Sequence, residues 1–216
     1  MYNQISIWDY LPDTNSLALE DQLHKKSIIN TDGEVIFYPN FFTIQESNHF
    51  FSDLYSSVNW KQDTIKLFGK KMPLPRLTAW YGDEGKSYTY SGIVQYPEPW
   101  NPVLKSIKSK IEKIAEVSFN SVLLNLYRDG KDSVSWHSDD EPELGENPII
   151  GSVSFGATRR FSLRHKQSKD YKIDVDLGNG SFLLMKGGTQ HFWQHQIAKT
   201  PKSIQPRINL TFRIIQ

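Results

Sequence analysis

The sequence predicts an α+β, mainly β fold. The expected core is a double-sheet jelly roll, or double-stranded β-helix, with N-terminal helices packed on one face and a segment of hairpins beside it. Three observations carry this. After Asn120 the pattern is β throughout, with eight short candidate strands at 121–127, 134–137, 149–155, 159–165, 171–177, 181–186, 191–197 and 207–215. Turn signals separate them at Asp129-Gly130, Gly156 and Gly178-Asn179-Gly180, the punctuation expected of a sandwich or roll. Both helical patterns come earlier in the chain, which places helices against one face of the strands rather than between them.

The chain has 216 residues, 38% hydrophobic and 13% aromatic. That is enough apolar material for one domain with a core and too much for a disordered chain. Net charge is +1, so any nucleic-acid role must come from a local patch. There is no cysteine, which excludes disulfides and thiolate zinc sites. The first residues, MYNQISIWDYLPD, lack the basic and apolar segments of a signal peptide. No apolar run reaches the ~18 residues of a membrane span. The expectation is an intracellular protein, cytoplasmic, at the nucleoid in a bacterium or in the nucleus in a eukaryote, with no membrane and no obligate protein partner.

Residues 1–33 are polar and weakly patterned and are expected to form a surface extension, with the domain proper at 34–216. EVIFY at 34–38 is a strand candidate. Thr43-Ile44-Gln45-Glu46 has the form of a capping box, and Ile44, Phe51, Leu54 and Val58 follow at helical spacing, ending before Trp60. The segment 60–90 reads as hairpins. It mixes Phe68, Trp80, Tyr81, Tyr88 and Tyr90 with Lys66, Lys70, Lys71, Arg76 and Lys86. Rings on which bases stack, among cations that pair with phosphates, suit nucleic acid. An aromatic core with lysines on its rim is the alternative. Beyond a proline-rich connection, Asn101 and Pro102 are placed to start a helix, whose stripe of Val103, Leu104, Ile107, Ile111 and Ile114 is scaffold. The strands of 120–216 are the expected catalytic core.

The chemistry starts at Trp136-His137-Ser138-Asp139-Asp140-Glu141. On an extended strand, His137 and Asp139 share a face and can hold one metal ion. His195 is the best third ligand. His191 is its rival, but residues four apart on a strand cannot both reach one ion. Two histidines and a carboxylate are the facial triad of non-haem Fe(II) oxygenases, which leaves room for O2 and a chelating 2-oxo acid. The distal carboxylate of 2-oxoglutarate needs a buried cation, best an arginine fork. Arg207 and Arg213, six apart on the last strand, share a face and are the candidates.

These stretches resemble a known family, the AlkB-type Fe(II)/2-oxoglutarate dioxygenases that repair alkylated nucleic acid. The matching motifs are PRLTAWYG from Pro75, NLY from Asn125, WHSDDE from Trp136, SVSFGATR from Ser152 and PRINLTFR from Pro206, all within about 60–216 and in the family's order. The resemblance implies Fe(II) on His137, Asp139 and His195, and 2-oxoglutarate on Asn125, Tyr127, Arg207, Thr211 and Arg213, with Arg207 the first candidate for the distal carboxylate and Arg213 the second. It places Asp140, and with it Glu141, beside a cationic base. Tyr88 and Tyr90 belong to a nucleotide-recognition lid at 60–90. Phe68 is at a hairpin tip like that of the subgroup acting on duplexes, while 80–141 is more similar to the subgroup preferring single strands. The implied activity is oxidative demethylation of 1-methyladenine and 3-methylcytosine in methylated DNA, single- or double-stranded, with RNA an open alternative. O2 and 2-oxoglutarate are consumed and formaldehyde is released. Two rivals remain at this stage: a 2-oxoglutarate oxygenase acting on a protein or small molecule, and a non-catalytic nucleic-acid-binding module.

Overall fold

The computed structural model describes residues 24–67, 70–86, 88–90, 93–168 and 170–216, without the side chains of 66, 67, 70, 71, 88–90 and 93–95. Strands β1 (Lys26–Ile29) and β2 (Glu34–Tyr38) lead into helix α1 (Ile44–Ser57). Then come β3 (Thr64–Leu67), β4 (Lys70–Pro73), β5 (Leu77–Gly82), β6 (Tyr88–Tyr90), β7 (Ile93–Gln95) and β8 (Glu98–Pro99). Helix α2 (Pro102–Ala115) precedes β9 (Ser121–Tyr127), β10 (Val134–His137), β11 (Ile150–Gly156) and β12 (Arg159–His165). The chain closes with β13 (Lys172–Leu177), β14 (Ser181–Lys186), the short helix α3 (Thr189–Phe192), β15 (Trp193–Ile197) and β16 (Arg207–Arg213).

The eight strands after Asn120 divide equally between two sheets. β9, β11, β14 and β16 form the centre of an eight-stranded sheet ordered β1-β2-β14-β11-β16-β9-β5-β8, and β10, β15, β12 and β13 form a second, four-stranded sheet. Alternation along each strand gives the large sheet two unlike faces. Val122, Leu124, Leu126, Val153, Phe155, Ile208, Leu210 and Phe212 pack with α1 and α2 in one apolar cluster. The opposite face contributes Val35, Phe37, Ile150, Leu183 and Met185 to a second cluster, closed by Phe161, Leu163, Val175, Leu177 and Trp193 of the small sheet. At the turn from β11 to β12 the chain passes between sheets through Gly156, φ +86°, where a Cβ would lie 2.5 Å from the Pro206 carbonyl oxygen. A side chain fits there neither conformationally nor sterically.

The caps form as the sequence requires. Thr43 and Glu46 make a reciprocal capping box on α1, and the Asn101 side chain accepts from the Leu104 amide at 2.8 Å at the start of α2. Of the stripe expected on α1, Leu54 and Val58 are buried and Phe51 packs against the core, joined by Ser47 and Phe50, while Ile44, at the first helical position, is 70% exposed. The stripe of α2 is Leu104, Ile107, Ile111 and Ala115, with Val103 and Ile114 at its margin.

Three further differences concern boundaries. Residues 26–29, expected in a surface extension, form the edge strand β1 paired with β2, and Ile29 is buried. The 60–90 segment holds the β3–β4 hairpin, but β5 inside it is a strand of the large sheet paired with β9. Tyr81 therefore belongs to the core rather than to an aromatic platform. The strand expected at 191–197 begins at Trp193, because the chain first makes the helical turn α3. Among the described residues no helix is long and apolar enough to cross a membrane.

Candidate metal and co-substrate site

His137 and His195 are direct cross-strand partners on β10 and β15, with ring centroids 4.3 Å apart. The strand ends at His137, so Asp139 does not share a strand face with it as the spacing suggested. Three contacts place it instead. Its N–H donates to the Gln190 Oε1 at 3.0 Å, the Ser138 hydroxyl before it donates to the Trp193 carbonyl at 2.8 Å, and Arg213 Nη2 donates to its Oδ1 at 2.8 Å. The outcome is the one the motif required: one donor atom from each of His137, Asp139 and His195 lies within 4.8 Å of the others.

Electrostatics hold Asp139 and His195 in the states a metal needs. Burial pushes the Asp139 carboxyl up, but Arg213, His195 and His137 outweigh it and bring its pKa down to about 2. Burial drives His195 down to about 3, with Asp139 acting the other way and His137 and Arg213 adding to the fall. Asp139 is thus ionised and His195 neutral at physiological pH. The Nδ1 of His137 lies 2.8 Å from the Ser135 carbonyl. A carbonyl only accepts, so Nδ1 donates to it and Nε2, 3.7 Å from Asp139 Oδ1, is the nitrogen placed to face an ion. Two imidazoles and a carboxylate on one side of a cavity are the donor set of a facial triad.

The cavity floor is the inner face of the large sheet. Asn125 and Tyr127 from β9, Ser152 from β11, and Arg207, Asn209, Thr211 and Arg213 from β16 line it together with the three ligands. Register explains the grouping: Arg207 lies opposite Tyr127 and Asn209 opposite Asn125. Arg207 is 1% exposed. Its Nη2 donates to the Ser154 hydroxyl at 2.8 Å, and its guanidinium sits 5.1 Å from the Tyr127 ring centroid. Its Nε and Nη1 meet no hydrogen-bond partner among the described residues, and burial lowers its pKa to about 10. A buried cation with two N–H groups unmatched, facing a cavity, fits an incoming carboxylate. Arg213 lines the same cavity and donates to Asp139.

Two cavity residues depart from the sequence reading: Arg76, expected among cations that pair with phosphates, lines the cavity instead, and Asn209 had no role. Arg76 donates from Nε to Asn125 Oδ1 at 2.7 Å and from Nη1 to the Ser133 carbonyl at 3.2 Å. Asn209 donates to the Ser152 hydroxyl at 2.9 Å and accepts from Thr211 at 3.1 Å. Parity could have found Asn209, since it lies midway between Arg207 and Thr211 on one strand face. The stretch around Arg76 does not reveal its partners, which are 49 and 57 residues away.

The expected substrate residues are placed less completely. Asp140 is exposed and pairs with Lys166 Nζ at 3.6 Å. Glu141 is half-buried, and neither acid is among the cavity-lining residues. Tyr88 and Tyr90 stand on β6, paired antiparallel with β7. Phe68 lies outside the described residues. His191 is exposed on α3, which leaves His195 as the ligand.

A family model described as the 2OG-Fe(II) oxygenase superfamily matches residues 34–213. The mouse alpha-ketoglutarate-dependent dioxygenase alkB homolog 3 is 47% identical over 190 residues, 84% of this chain and 66% of its own length. The chain thus spans just under two thirds of that relative. The human DNA oxidative demethylase ALKBH2 is 38% identical over 197 residues, 87% of this chain and 76% of its own. The solved structure of OsALKBH1 superposes with a TM-score of 0.58 at 16% identity, over 83% of this chain and 96% of that one, which shows a common fold. With its triad, its buried arginine and these matches, the chain belongs to the 2OG-Fe(II) oxygenase superfamily, among the AlkB-type members.

Proposed function

We propose that this protein is an Fe(II)/2-oxoglutarate-dependent dioxygenase that removes N-methyl groups from 1-methyladenine and 3-methylcytosine in DNA. The observation that carries it is the pairing of a three-ligand cluster with a buried, incompletely satisfied Arg207 in one cavity. Relatives named as a DNA oxidative demethylase and an alkB homolog supply the substrate class. The four-plus-four strands after Asn120 are the double-stranded β-helix core, within a domain that takes in β1 at its edge and β5 beside β9, which leaves the β3–β4 and β6–β7 pairs as the lid.

When bound, iron with 2-oxoglutarate and O2 supplies oxidation of the methyl group, releasing succinate, CO2 and formaldehyde. The chain's own residues do the rest. His137, Asp139 and His195 hold the ion from one side. Arg213 keeps Asp139 ionised and oriented. Arg207 receives the distal carboxylate of 2-oxoglutarate, with Tyr127 against its guanidinium and Asn125 and Thr211 lining the remaining wall. Arg76 accepts no proton and gives two, so it turns the Asn125 carbonyl oxygen toward itself and the amide –NH2 toward the cavity. Asp140 and Glu141 attract a methylated, cationic base, which also leaves the stack at lower cost than an intact one. The lid roles of Tyr88 and Tyr90 and the wedge role of Phe68 stay as the resemblance implies them.

Formaldehyde release from matched single- and double-stranded oligonucleotides carrying either lesion tests this reading. Release dependent on both Fe(II) and 2-oxoglutarate is expected. Co-substrate turnover with a protein or small molecule and none with any methylated oligonucleotide would assign the site to a different oxygenase.

A further inference from the structure

We propose that Gln190 is a positioning residue for the metal site, setting where Asp139 stands by accepting the hydrogen bond of its main-chain N–H. The inference rests on the reading of His137, Asp139 and His195 as metal ligands.

The need for such a residue follows from where β10 stops. His137 and His195 are held by a strand pair, but Asp139 lies two residues past the last residue of β10. No ladder fixes it. It is nevertheless 3% exposed, and a buried main-chain N–H needs an acceptor. Gln190 Oε1 lies 3.0 Å from it. Gln190 itself is 1% exposed and has one amide orientation that works: the oxygen must face the Asp139 N–H, which turns Nε2 to Met185 Sδ at 3.7 Å, a weak acceptor. A fully buried carboxamide with so poor a partner at its other end is held there by its one strong bond.

Gln190 is also a firm point to hang a loop from. It sits in α3 between anchors to several elements. The preceding Thr189 hydroxyl accepts from the Glu34 N–H at 3.0 Å and donates to the Lys186 carbonyl at 2.6 Å. The Gln190 carbonyl accepts from Lys166 Nζ at 2.9 Å, and the Lys166 N–H donates to the Phe192 carbonyl at 2.7 Å. Asp139 is therefore fixed at two points from two elements: its main chain by Gln190 on α3 and its carboxylate by Arg213 on β16. Without the Gln190 oxygen the buried N–H has no acceptor, and the loop is driven to move Asp139 away from the two imidazoles. Groups that orient metal ligands typically change affinity by about 10–100-fold when removed.

Mn(II) titration of the full chain, followed by calorimetry, tests this with wild type, Gln190→Met and Gln190→Glu, alongside main-chain amide exchange in the metal-free proteins. Methionine keeps the volume without the oxygen; glutamate keeps an acceptor. The Asp139 amide should be protected in wild type and Gln190→Glu and lose protection in Gln190→Met, with β9 and β16 amides unchanged. Mn(II) affinity should fall about tenfold or more in Gln190→Met. Unchanged affinity in Gln190→Met, or an Asp139 amide that exchanges freely in wild type, overturns this inference alone. Failure of wild type to bind Mn(II) overturns the metal reading and the inference with it. If Gln190→Met does not fold, amide protection in wild type and in Gln190→Glu decides.

Discussion

The two faces of the large sheet differ by one residue of phase and by everything else. On β16, Ile208, Leu210 and Phe212 are fully buried against the helices, while Arg207, Asn209, Thr211 and Arg213 point into the cavity. On β11, Val153 and Phe155 face the helices and Ser152 and Ser154 face the site, accepting from Asn209 and Arg207. One face is stabilised by area removed from water. The other buries polar groups hydrogen-bonded largely to one another and leaves Arg207 incompletely matched, a cost that an incoming carboxylate would relieve. The strands thus couple a rigid apolar backing to a preorganised polar floor, and damage to each face should show in a different measurement.

The largest effect expected is on the polar face. His137→Ala should abolish formaldehyde release while the circular dichroism spectrum stays that of the wild type, because it removes a half-exposed metal ligand and not a core side chain; Asp139→Ala should abolish release as well and also lower unfolding stability, because it leaves Arg213 without its carboxylate. Next, Arg207→Met should raise the KM for 2-oxoglutarate by at least about thirtyfold, since losing one partner of a buried charged contact costs about 2–5 kcal/mol. A KM unchanged in steady-state assays would remove Arg207 from the co-substrate site. On the apolar face, Phe212→Ala should lower unfolding stability by about 3–5 kcal/mol in urea titrations and leave the KM of the folded fraction unchanged.

The smallest effect separates the helices from the sheet. Glu46 caps α1 and pairs with Lys110 of α2. That ammonium holds the Glu46 carboxyl below the usual carboxylate range, with burial opposing and the Thr43 contacts assisting. A lowered folded pKa means the contribution is present above the unfolded value and is lost as pH falls through the folded one. Glu46→Gln should therefore cost about 1 kcal/mol near neutral pH, and the difference from wild type should shrink in acid. A gap that widens on acidification would contradict the assignment.

Strand existence was legible because alternation and turn residues are local: β9, β10, β12 and β14 begin and end where the pattern says. The triad was legible from residue type and order. What escaped was set by distant partners. The β1 strand is polar on its exposed side and becomes a strand only because β2 offers an edge. Ile44 looks like a core residue by spacing, but the cap turns it outward. The spacing of His137 and Asp139 gave the right pair for a different reason, since Gln190 and Arg213, 51 and 74 residues away, do what strand alternation was expected to do. Arg76 reaches Asn125 across the β5–β9 pairing, a contact with no trace in either local stretch.

The most direct test of the central claim is the mass of a 3-methylcytosine oligonucleotide after incubation with the protein, Fe(II), O2 and 2-oxoglutarate, run beside Asp139→Ala. The account predicts that wild type converts the lesion to cytosine with stoichiometric succinate, and that Asp139→Ala and reactions lacking 2-oxoglutarate leave the mass unchanged. An unaltered oligonucleotide with wild type under full conditions, or equal conversion by Asp139→Ala, would contradict it.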